Sequence, residues 1–308
     1  MSSADVPVLV DNDEAISAWD GVLFDRWVKY RHIFVGGLAN HGNEALRLFP
    51  PKPGWRVIDV GCGLGDTTQA IARTIGPTGE AVGVDAAARM LEIARRETAE
   101  LGMANARFDV ADVQHDPLGA GFDMAFSRMG TMFFASPVAA LRNVRAALKP
   151  GATLVMVVWR RREDNPWVWE AQQVVERMLG RPEEHDEPTC GPGPFSMANA
   201  DTVSDQLGYA GFAEITFRRC DLPIMLGSDV EEALEIALAL GPAAEIVRLW
   251  GDRMVHRHDE VRAALREVIS RFEREDGSIH AMASTWIVSA TNPVEVGASA
   301  GAAANGGP

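Results

Sequence analysis

The sequence has few cysteines and no long apolar run. Its three cysteines, Cys62, Cys190 and Cys220, lie far apart and form no Cys-x-x-Cys pair. A disulfide framework or a cysteine zinc site is therefore not expected. The expected location is the reducing cytoplasm. No stretch reaches the ~18 uninterrupted apolar residues that span a bilayer. The acidic N-terminus, MSSADVPVLVDNDEA, also lacks the pattern of a signal peptide, so we expect no membrane segment.

Basic residues are also scarce. Lysine and arginine total 29 against 43 aspartates and glutamates, which gives a formal net charge of −14. This charge repels a phosphate backbone, so nucleic acid is not expected as a partner or a substrate. Hydrophobic residues make up 47% of the 308 residues, which is enough for a large buried core.

Short apolar runs alternate with helical patterns between residues 55 and 159. The runs are continuously apolar rather than strictly alternating, which is typical of strands covered on both faces. They read WRVIDV, AVGVD, ARFDVAD, FDMAFS and ATLVMVVW. This succession of strands and helices predicts an α/β fold with a doubly wound, parallel sheet.

Helical patterns lie on both sides of this region. Before it, tryptophans such as Trp19 and Trp27 recur at helical spacing and predict one or two helices. After it, Asn165 is expected to cap a helix, and Ser228 and Glu231 have the spacing of a capping box. Two further strands, AEITFRRC and SIHAMASTWIVSAT, are predicted, with a helical insertion between them that would cap the sheet.

The turn after the first predicted strand, VIDVGCGLGD, contains three glycines. Gly61 and Gly63 fit the dinucleotide fingerprint G-x-G-x-x-G, but its third position is Asp66. A carboxylate at a helix N-terminus would repel a pyrophosphate, which disfavours a nicotinamide-dependent oxidoreductase. The pattern from Asp59 to Gly65 is instead D-x-G-x-G-x-G.

This pattern resembles the first motif of class I S-adenosylmethionine-dependent methyltransferases. Further matches, LRNVRAALKPGATLVMVVW and GPGPF…LGYAGFAEITF, extend the resemblance over residues 53–220 and toward 290. It is similar above all to the small-molecule methyltransferases of ubiquinone and menaquinone biosynthesis, although KPGAT stands where those often read KPGG. The resemblance implies S-adenosylmethionine as the cofactor and a Rossmann-like, mainly parallel, seven-stranded sheet.

The implied organisation has four parts. They are an N-terminal helical segment (1–50), an S-adenosylmethionine-binding core (51–160), helical cap insertions with the last two strands (161–290), and a disordered tail (291–308).

The resemblance also implies roles for residues at the strand ends. Asp85 would accept hydrogen bonds from both ribose hydroxyls, because a carboxylate has two acceptor oxygens. Asp112 and Val113 match the segment that meets adenine, and Ser127 would lie near the methionine part. The whole implied set is Asp59, Gly61, Gly63, Gly65, Asp85, Ala86, Asp112, Val113 and Ser127.

Alternatives stay open for several of these residues. Asp109 competes with Asp112 for the adenine contact. Asp59 could only orient the glycine loop, and Ser127 could only cap the turn that follows it. Arg128 is expected to pair with an acid at the surface rather than to contact substrate.

The aromatic residues near the site are ambiguous as well. Trp159, Trp167 and Trp169 are more typical of core than of a substrate cage. Trp19 and Trp27 precede the first strand, and a helix in that position often folds over the cofactor in this family.

The function expected from this sequence is methyl transfer to a small, apolar metabolite by in-line displacement, without a metal. A non-catalytic S-adenosylmethionine-binding protein is the main alternative. An open acceptor cavity would favour the enzyme, and a cavity filled by Trp167 or Trp169 would favour the binder. A general base would help a hydroxyl or acidic-carbon acceptor, but no catalytic residue is assigned. The histidines available for that role are His32, His41, His115, His185, His256, His258 and His280.

Overall fold

The computed structural model describes residues 12–180, 193–254 and 256–294, and within them it forms one seven-stranded sheet. The strands are β1 (Arg56–Val60), β2 (Glu80–Asp85), β3 (Ala106–Val110), β4 (Phe122–Arg128), β5 (Leu148–Trp159), β6 (Ala213–Gly227) and β7 (Ile279–Thr291). Their order is β3-β2-β1-β4-β5-β7-β6. The first five strands pair in parallel, and β7 runs antiparallel to both β5 and β6. The predicted α/β, doubly wound, mainly parallel sheet is confirmed.

The helices pack around this sheet. They are α1 (Asp13–Asp20), α2 (Val22–Lys29), α3 (Arg31–Leu48), α4 (Asp66–Ile75), α5 (Ala88–Glu100), α6 (Pro137–Ala147), α7 (Pro166–Leu179), α8 (Ala200–Tyr209), α9 (Val230–Ala239), α10 (Pro242–Trp250) and α11 (His258–Ser270). The short 3₁₀ turns are Thr131–Phe133, Arg162–Asp164 and Gly251–Met254. Within the described ranges, no helix is long and apolar enough to cross a membrane.

Two apolar clusters account for most of the interior. The larger lies along the sheet and includes fully buried residues such as Ile58 and Phe126. The smaller joins α7 to α9, α10 and α11, with Val175, Leu234 and Leu265 at its centre. Since α9 to α11 lie between β6 and β7 in sequence, they form the helical insertion that the sequence predicts.

The N-terminal segment differs from its prediction. From residue 12 onward, three helices precede β1 instead of one or two, because the chain leaves the helical conformation at Gly21 and again at Tyr30. The backbone angles there are φ −109°, ψ −115° at Gly21 and φ −105°, ψ 23° at Tyr30.

The predicted caps differ in detail. Asn165 precedes α7, but its side chain bonds the backbone of Ser284 on β7 instead of capping the helix. The capping box is shifted by one residue, since Asp229 accepts a bond from the backbone N–H of Glu232 at 2.8 Å. Glu232 in turn accepts from the backbone N–H of Ser228 at 2.7 Å.

β6 is longer than its apolar pattern. The sequence predicts a strand ending at Cys220, whereas β6 continues through Pro223 to Gly227. An edge strand tolerates proline, because only one side of it carries a hydrogen-bonded neighbour. β7 still includes Thr291, and the rest of the predicted tail from 295 onward lies outside the described residues, as does Cys190.

Candidate active site

A deep cavity of about 1460 Å³ lies where the carboxyl ends of the parallel strands meet the N-terminal helices and the cap. Ligands of open α/β sheets bind at this edge of the sheet. Typical small-molecule pockets measure ~300–1,000 Å³, so this cavity has room for two ligands side by side. Of the residues implied by the resemblance, Asp59, Gly61, Gly63, Asp85, Ala86, Asp112 and Val113 line the cavity.

The glycine loop forms one wall of the cavity. The backbone N–H groups of Gly61 and Cys62 donate to the carbonyl of Val84 at 2.9 and 3.1 Å. The N–H of Gly63 donates to the Asp85 carboxylate at 2.8 Å. Gly61 and Gly63 have φ of +69° and +53°, which side-chain-bearing residues rarely adopt. The loop is therefore fastened to β2, with its glycine backbone next to the cavity.

Gly65 lies on the side of the glycine loop that faces away from the cavity. It precedes α4 with φ +82°, and a Cβ there would lie 2.8 Å from both Ala94 and Phe108. Gly65 therefore permits α4 to pack closely against α5 and β3, and it does not face the cavity.

Asp59 is buried at the end of β1. It accepts a hydrogen bond from the Thr68 hydroxyl at 2.7 Å. Burial raises the pKa of Asp59 to about 6, while the Thr68 bond and the charge of Arg128 act in the opposite direction. The carboxylate of Asp59 is thus available to a cationic group near neutral pH.

Asp85 has both carboxylate oxygens engaged and still has room for a ligand. One oxygen accepts from the N–H of Gly63 and the other from the N–H of Ala87, at 2.8 and 2.9 Å. A carboxylate has about four lone-pair sites, so each oxygen retains one acceptor position. The pKa of Asp85 is raised by burial, although the backbone N–H groups of Ala87, Gly63 and Ala86 act in the opposite direction.

Asp112 and Asp109 occupy different environments. Asp112 lines the cavity and accepts from the N–H of Gln114 at 3.0 Å. The Asn12 amide, which lies just before α1, approaches the same carboxylate at 3.5 Å. Asp109 pairs with Arg107 on the exposed side of β3 and does not line the cavity. This placement favours Asp112 over Asp109 for a ligand contact.

Ser127 does not reach the cavity. It is fully buried, and its hydroxyl donates to the carbonyl of Val60 at 2.7 Å. This bond joins the ends of β4 and β1, so the structure places Ser127 in support of the site and not against a ligand.

The turn after β4 contains features that the sequence analysis missed. Gly130 lies against Gly61, since a Cβ on Gly61 would be 2.7 Å from the Gly130 Cα. Met129 has φ +63°, which is rare for a side-chain-bearing residue. Arg128 was expected to pair with an acid at the surface, but it lines the cavity and forms no ion pair with any residue that the structure describes. The sequence signal for Gly130 was its place in SRMG, directly after a predicted strand.

Aromatic side chains line the cavity. Trp19 meets Phe133 edge-on at 4.9 Å, and Trp27 stacks on Phe34 at 4.5 Å. The first contact holds α1 against the turn after β4, and the second joins α2 to α3. On the other side, Trp159 makes ring contacts with Trp167 at 5.9 Å and with Phe195 at 6.4 Å. All of these rings line the cavity, and Trp169 does so as well.

No histidine of the described residues lines the cavity. His41 is fully buried on α3, and its Nδ1 lies 3.0 Å from the Thr285 hydroxyl. Burial lowers the pKa of His41 to about 4. His32 is exposed and lies 2.9 Å from Glu232. His185 is outside the described residues.

Cys62 lies inside the glycine motif but is buried against Leu91 and Phe108. Burial raises the pKa of its thiol well above the ordinary value. A thiol of this kind is an inert filler, because the thiolate is the reactive form.

Comparison with curated proteins gives partial matches. The chain is 33% identical over 105 residues to demethylmenaquinone methyltransferase of Staphylococcus aureus, a segment that is 34% of this chain and 43% of that protein. It is 34% identical over 106 residues to an uncharacterized 37.1 kDa protein in transposon TN4556 of Streptomyces fradiae, covering 34% of this chain and 30% of that protein. The chain thus spans less than half the length of either relative.

Comparison with solved structures shows the same fold. Phosphoethanolamine N-methyltransferase 2 of Haemonchus contortus, in complex with S-adenosyl-L-methionine, superposes with a TM-score of 0.53 at 16% identity, over 93% of this chain and 61% of that one. The YcgJ protein of Bacillus subtilis superposes with a TM-score of 0.51 at 18% identity, over 84% of this chain and 99% of that one.

The model of a methyltransferase domain family matches residues 51–209, which is more than half of the chain. This segment contains the glycine loop, the acidic strand ends and the first five strands. The chain therefore belongs to the methyltransferase domain family, of the class I S-adenosylmethionine-dependent type that its motifs resemble.

Proposed function

We propose that the protein is an S-adenosylmethionine-dependent methyltransferase that acts on a small, largely apolar acceptor. The observation that supports this most is one continuous cavity with two kinds of wall. The glycine loop, Asp85 and Asp112 form a polar wall, and Trp159, Trp167 and Phe195 belong to an aromatic one.

The polar wall fits the cofactor. Asp85 retains acceptor positions for the two ribose hydroxyls, and Asp112 with Val113 suits the adenine edge and ring. The glycine backbone at Gly61 and Gly63 permits a close approach that a side chain would block. These roles follow the family resemblance, and the cavity contains all five residues.

When bound, S-adenosylmethionine supplies a methyl group on a sulfonium for in-line transfer. The chain's own contribution is to hold both reactants and to exclude water, which can account for much of the rate. Trp19 and Trp27 close one side of the cavity, and the cap helices close the other. Within the described residues no histidine faces the cavity, so we assign no general base.

The competing functions are less well supported. Trp167 and Trp169 line the cavity without filling it, which favours an enzyme over a non-catalytic binder. Asp66 begins α4 and pairs with Arg31 at 2.8 Å, so a carboxylate stands where a dinucleotide's pyrophosphate would lie.

The first test is calorimetric titration with S-adenosylmethionine, S-adenosylhomocysteine and NAD. We expect affinity near micromolar for both sulfur ligands, no binding of NAD, and at least about tenfold weaker binding in Asp85→Ala, or ~1.4 kcal/mol. Glu92→Gln, an exposed charge change on α5, is the control and should bind like the wild type. Binding of NAD instead would refute the proposal.

The second test is transfer of a labelled methyl group to candidate acceptors. The named relatives suggest two contrasting compounds, demethylmenaquinone in its reduced form and phosphoethanolamine. We expect product with apolar ring acceptors of the first kind and none with phosphoethanolamine. Binding of the cofactor without transfer to any acceptor would favour the non-catalytic alternative.

A further inference from the structure

Arg128 is a cation in the cavity wall that the proposed function does not yet use. It is the last residue of β4 and lines the cavity. Its side chain runs along α3, since a Cβ on Gly42 would lie 3.0 Å from the Arg128 Cδ. The guanidinium is therefore held between the end of the sheet and α3.

Within the described residues, Arg128 forms no ion pair and no side-chain hydrogen bond, although the carboxylates of Asp59 and Asp66 are near enough for their charges to act on it. Asp66 pairs with Arg31 at 2.8 Å, and Asp59 accepts from Thr68 at 2.7 Å. Burial lowers the pKa of Arg128, although the charges of Asp59 and Asp66 oppose this. An arginine nevertheless stays protonated in proteins.

An unpaired guanidinium in a deep cavity is unfavourable, because buried charges normally have a counter-ion. Its planar fork matches a carboxylate, with two parallel N–H···O bonds. A ligand anion bound in the cavity would supply that counter-ion. The same region has carboxylates at Asp59 and Asp85, so a ligand with separated positive and negative groups is matched on both sides.

We propose that Arg128 binds a ligand carboxylate in this cavity. This inference rests on the proposed function, and the carboxylate has two sources: the methionine part of the cofactor or an acidic acceptor. In the first case Arg128 orients the cofactor's amino-acid end, and in the second it selects the acceptor.

The experiment compares ligands that differ only in the anionic part. S-adenosylhomocysteine contains the amino acid, whereas 5′-methylthioadenosine keeps the nucleoside and lacks it. Both are titrated into the wild type, Arg128→Met and Arg128→Lys. In parallel, 2-naphthoate and its uncharged amide are titrated into protein saturated with S-adenosylhomocysteine.

For a cofactor carboxylate, Arg128→Met should weaken S-adenosylhomocysteine at least about tenfold and leave 5′-methylthioadenosine unchanged. Arg128→Lys should fall between, since lysine keeps the charge but not the fork. For an acidic acceptor, Arg128→Met should leave S-adenosylhomocysteine unchanged and abolish the preference for naphthoate over its amide. Either result supports the proposal and identifies the source.

The proposal is overturned if Arg128 affects neither the preference for S-adenosylhomocysteine over 5′-methylthioadenosine nor the preference for 2-naphthoate over its amide. It is also overturned if both adenosine ligands bind more weakly, by the same factor, in both variants. Arg47→Met is the control, because it removes an exposed charge from α3, the helix against which the Arg128 side chain packs. It should leave the affinities for all four ligands unchanged. Failure of the wild type to bind either adenosine ligand would instead refute the proposed function, so the two failures are distinguishable.

Discussion

Gly61 and Gly130 meet backbone to backbone in the wall of the cavity. A Cβ on Gly130 would lie 2.7 Å from the Val60 carbonyl and 2.8 Å from the Gly61 Cα. The turns after β1 and β4 can therefore lie side by side only because both positions lack a side chain.

Gly130→Ala should therefore destabilise the protein and distort the site. We expect a loss of about 2 kcal/mol or more in the free energy of unfolding, as in overpacked cores, together with weaker S-adenosylhomocysteine binding. Gly36→Ala is the matched control, because Gly36 is exposed on α3 with nothing near its Cβ position. It should be neutral or stabilising by up to about 1 kcal/mol. Denaturant titration measures both, and equal stability of the two variants would contradict the contact.

A comparison of two ligands can show whether Asp112 or Asp109 contacts the adenine amino group. If the Asp112 carboxylate accepts from the adenine amino group, the wild type should prefer S-adenosylhomocysteine to its inosine analogue, which lacks that group. Asp112→Asn should reduce this preference by about tenfold, the value of one charged hydrogen bond. Asp109→Asn should retain it, since Asp109 pairs with Arg107 away from the cavity. The opposite pattern in calorimetry would reassign the contact to Asp109.

Asp59 predicts a pH dependence of cofactor affinity. Burial raises its pKa to about 6, so the carboxylate becomes protonated as the pH falls through that value. The protonated form no longer attracts the ligand's ammonium group, and S-adenosylhomocysteine should bind more weakly at pH 5 than at pH 7. Asp59→Asn should bind weakly at both values, with little pH dependence. A wild-type affinity that is constant from pH 7 to pH 5 would rule out this role for Asp59.

His41 predicts a pH dependence of stability with a definite sign. Its pKa is lowered by burial to about 4 from 6.5, so the unfolded chain takes up the proton first. The contribution of neutral His41 to the free energy of unfolding is complete above pH 6.5. It is lost as the pH falls toward 4, by as much as ~3 kcal/mol. Asp59 has the opposite effect on the free energy of unfolding, because its pKa is raised in the folded state. As the pH falls below 6, protonation of Asp59 therefore adds to stability.

The difference between wild type and His41→Gln isolates this effect, since Asp59 is common to both proteins. Chemical denaturation at pH 7, 6 and 5 should show the wild type losing stability relative to His41→Gln as the pH falls. If the stability of the two proteins changes with pH in the same way, His41 does not titrate as the structure indicates.

Much of the fold was predictable because the signals are local. Continuous apolar runs ending in acidic residues mark buried parallel strands, and the glycine pattern between Asp59 and Gly65 marks the tight turn that follows β1. The extension of β6 through Pro223 was not predictable in this way, since a proline is tolerated only if the strand is at an edge. The one-residue shift of the cap at Asp229 also depends on how the chain enters α9 from β6.

The site was predicted unevenly for a physical reason. The family resemblance singles out Asp85 and Asp112 at the ends of strands, and both line the cavity. Ser127 and Arg128 are adjacent in sequence, and the pattern cannot tell which of them points toward the ligand. The structure turns Ser127 toward Val60 and leaves Arg128 at the cavity wall.

The sequence by itself determined the sheet, the glycine loop and the family, because hydrophobic periodicity and turn residues act over a few neighbouring positions. Tertiary structure alone decided the contact of Gly61 with Gly130, the burial of His41 and the unpaired state of Arg128 within the described residues. Each of these depends on segments distant in sequence that pack together, and packing decides which charges keep a partner and which face a ligand.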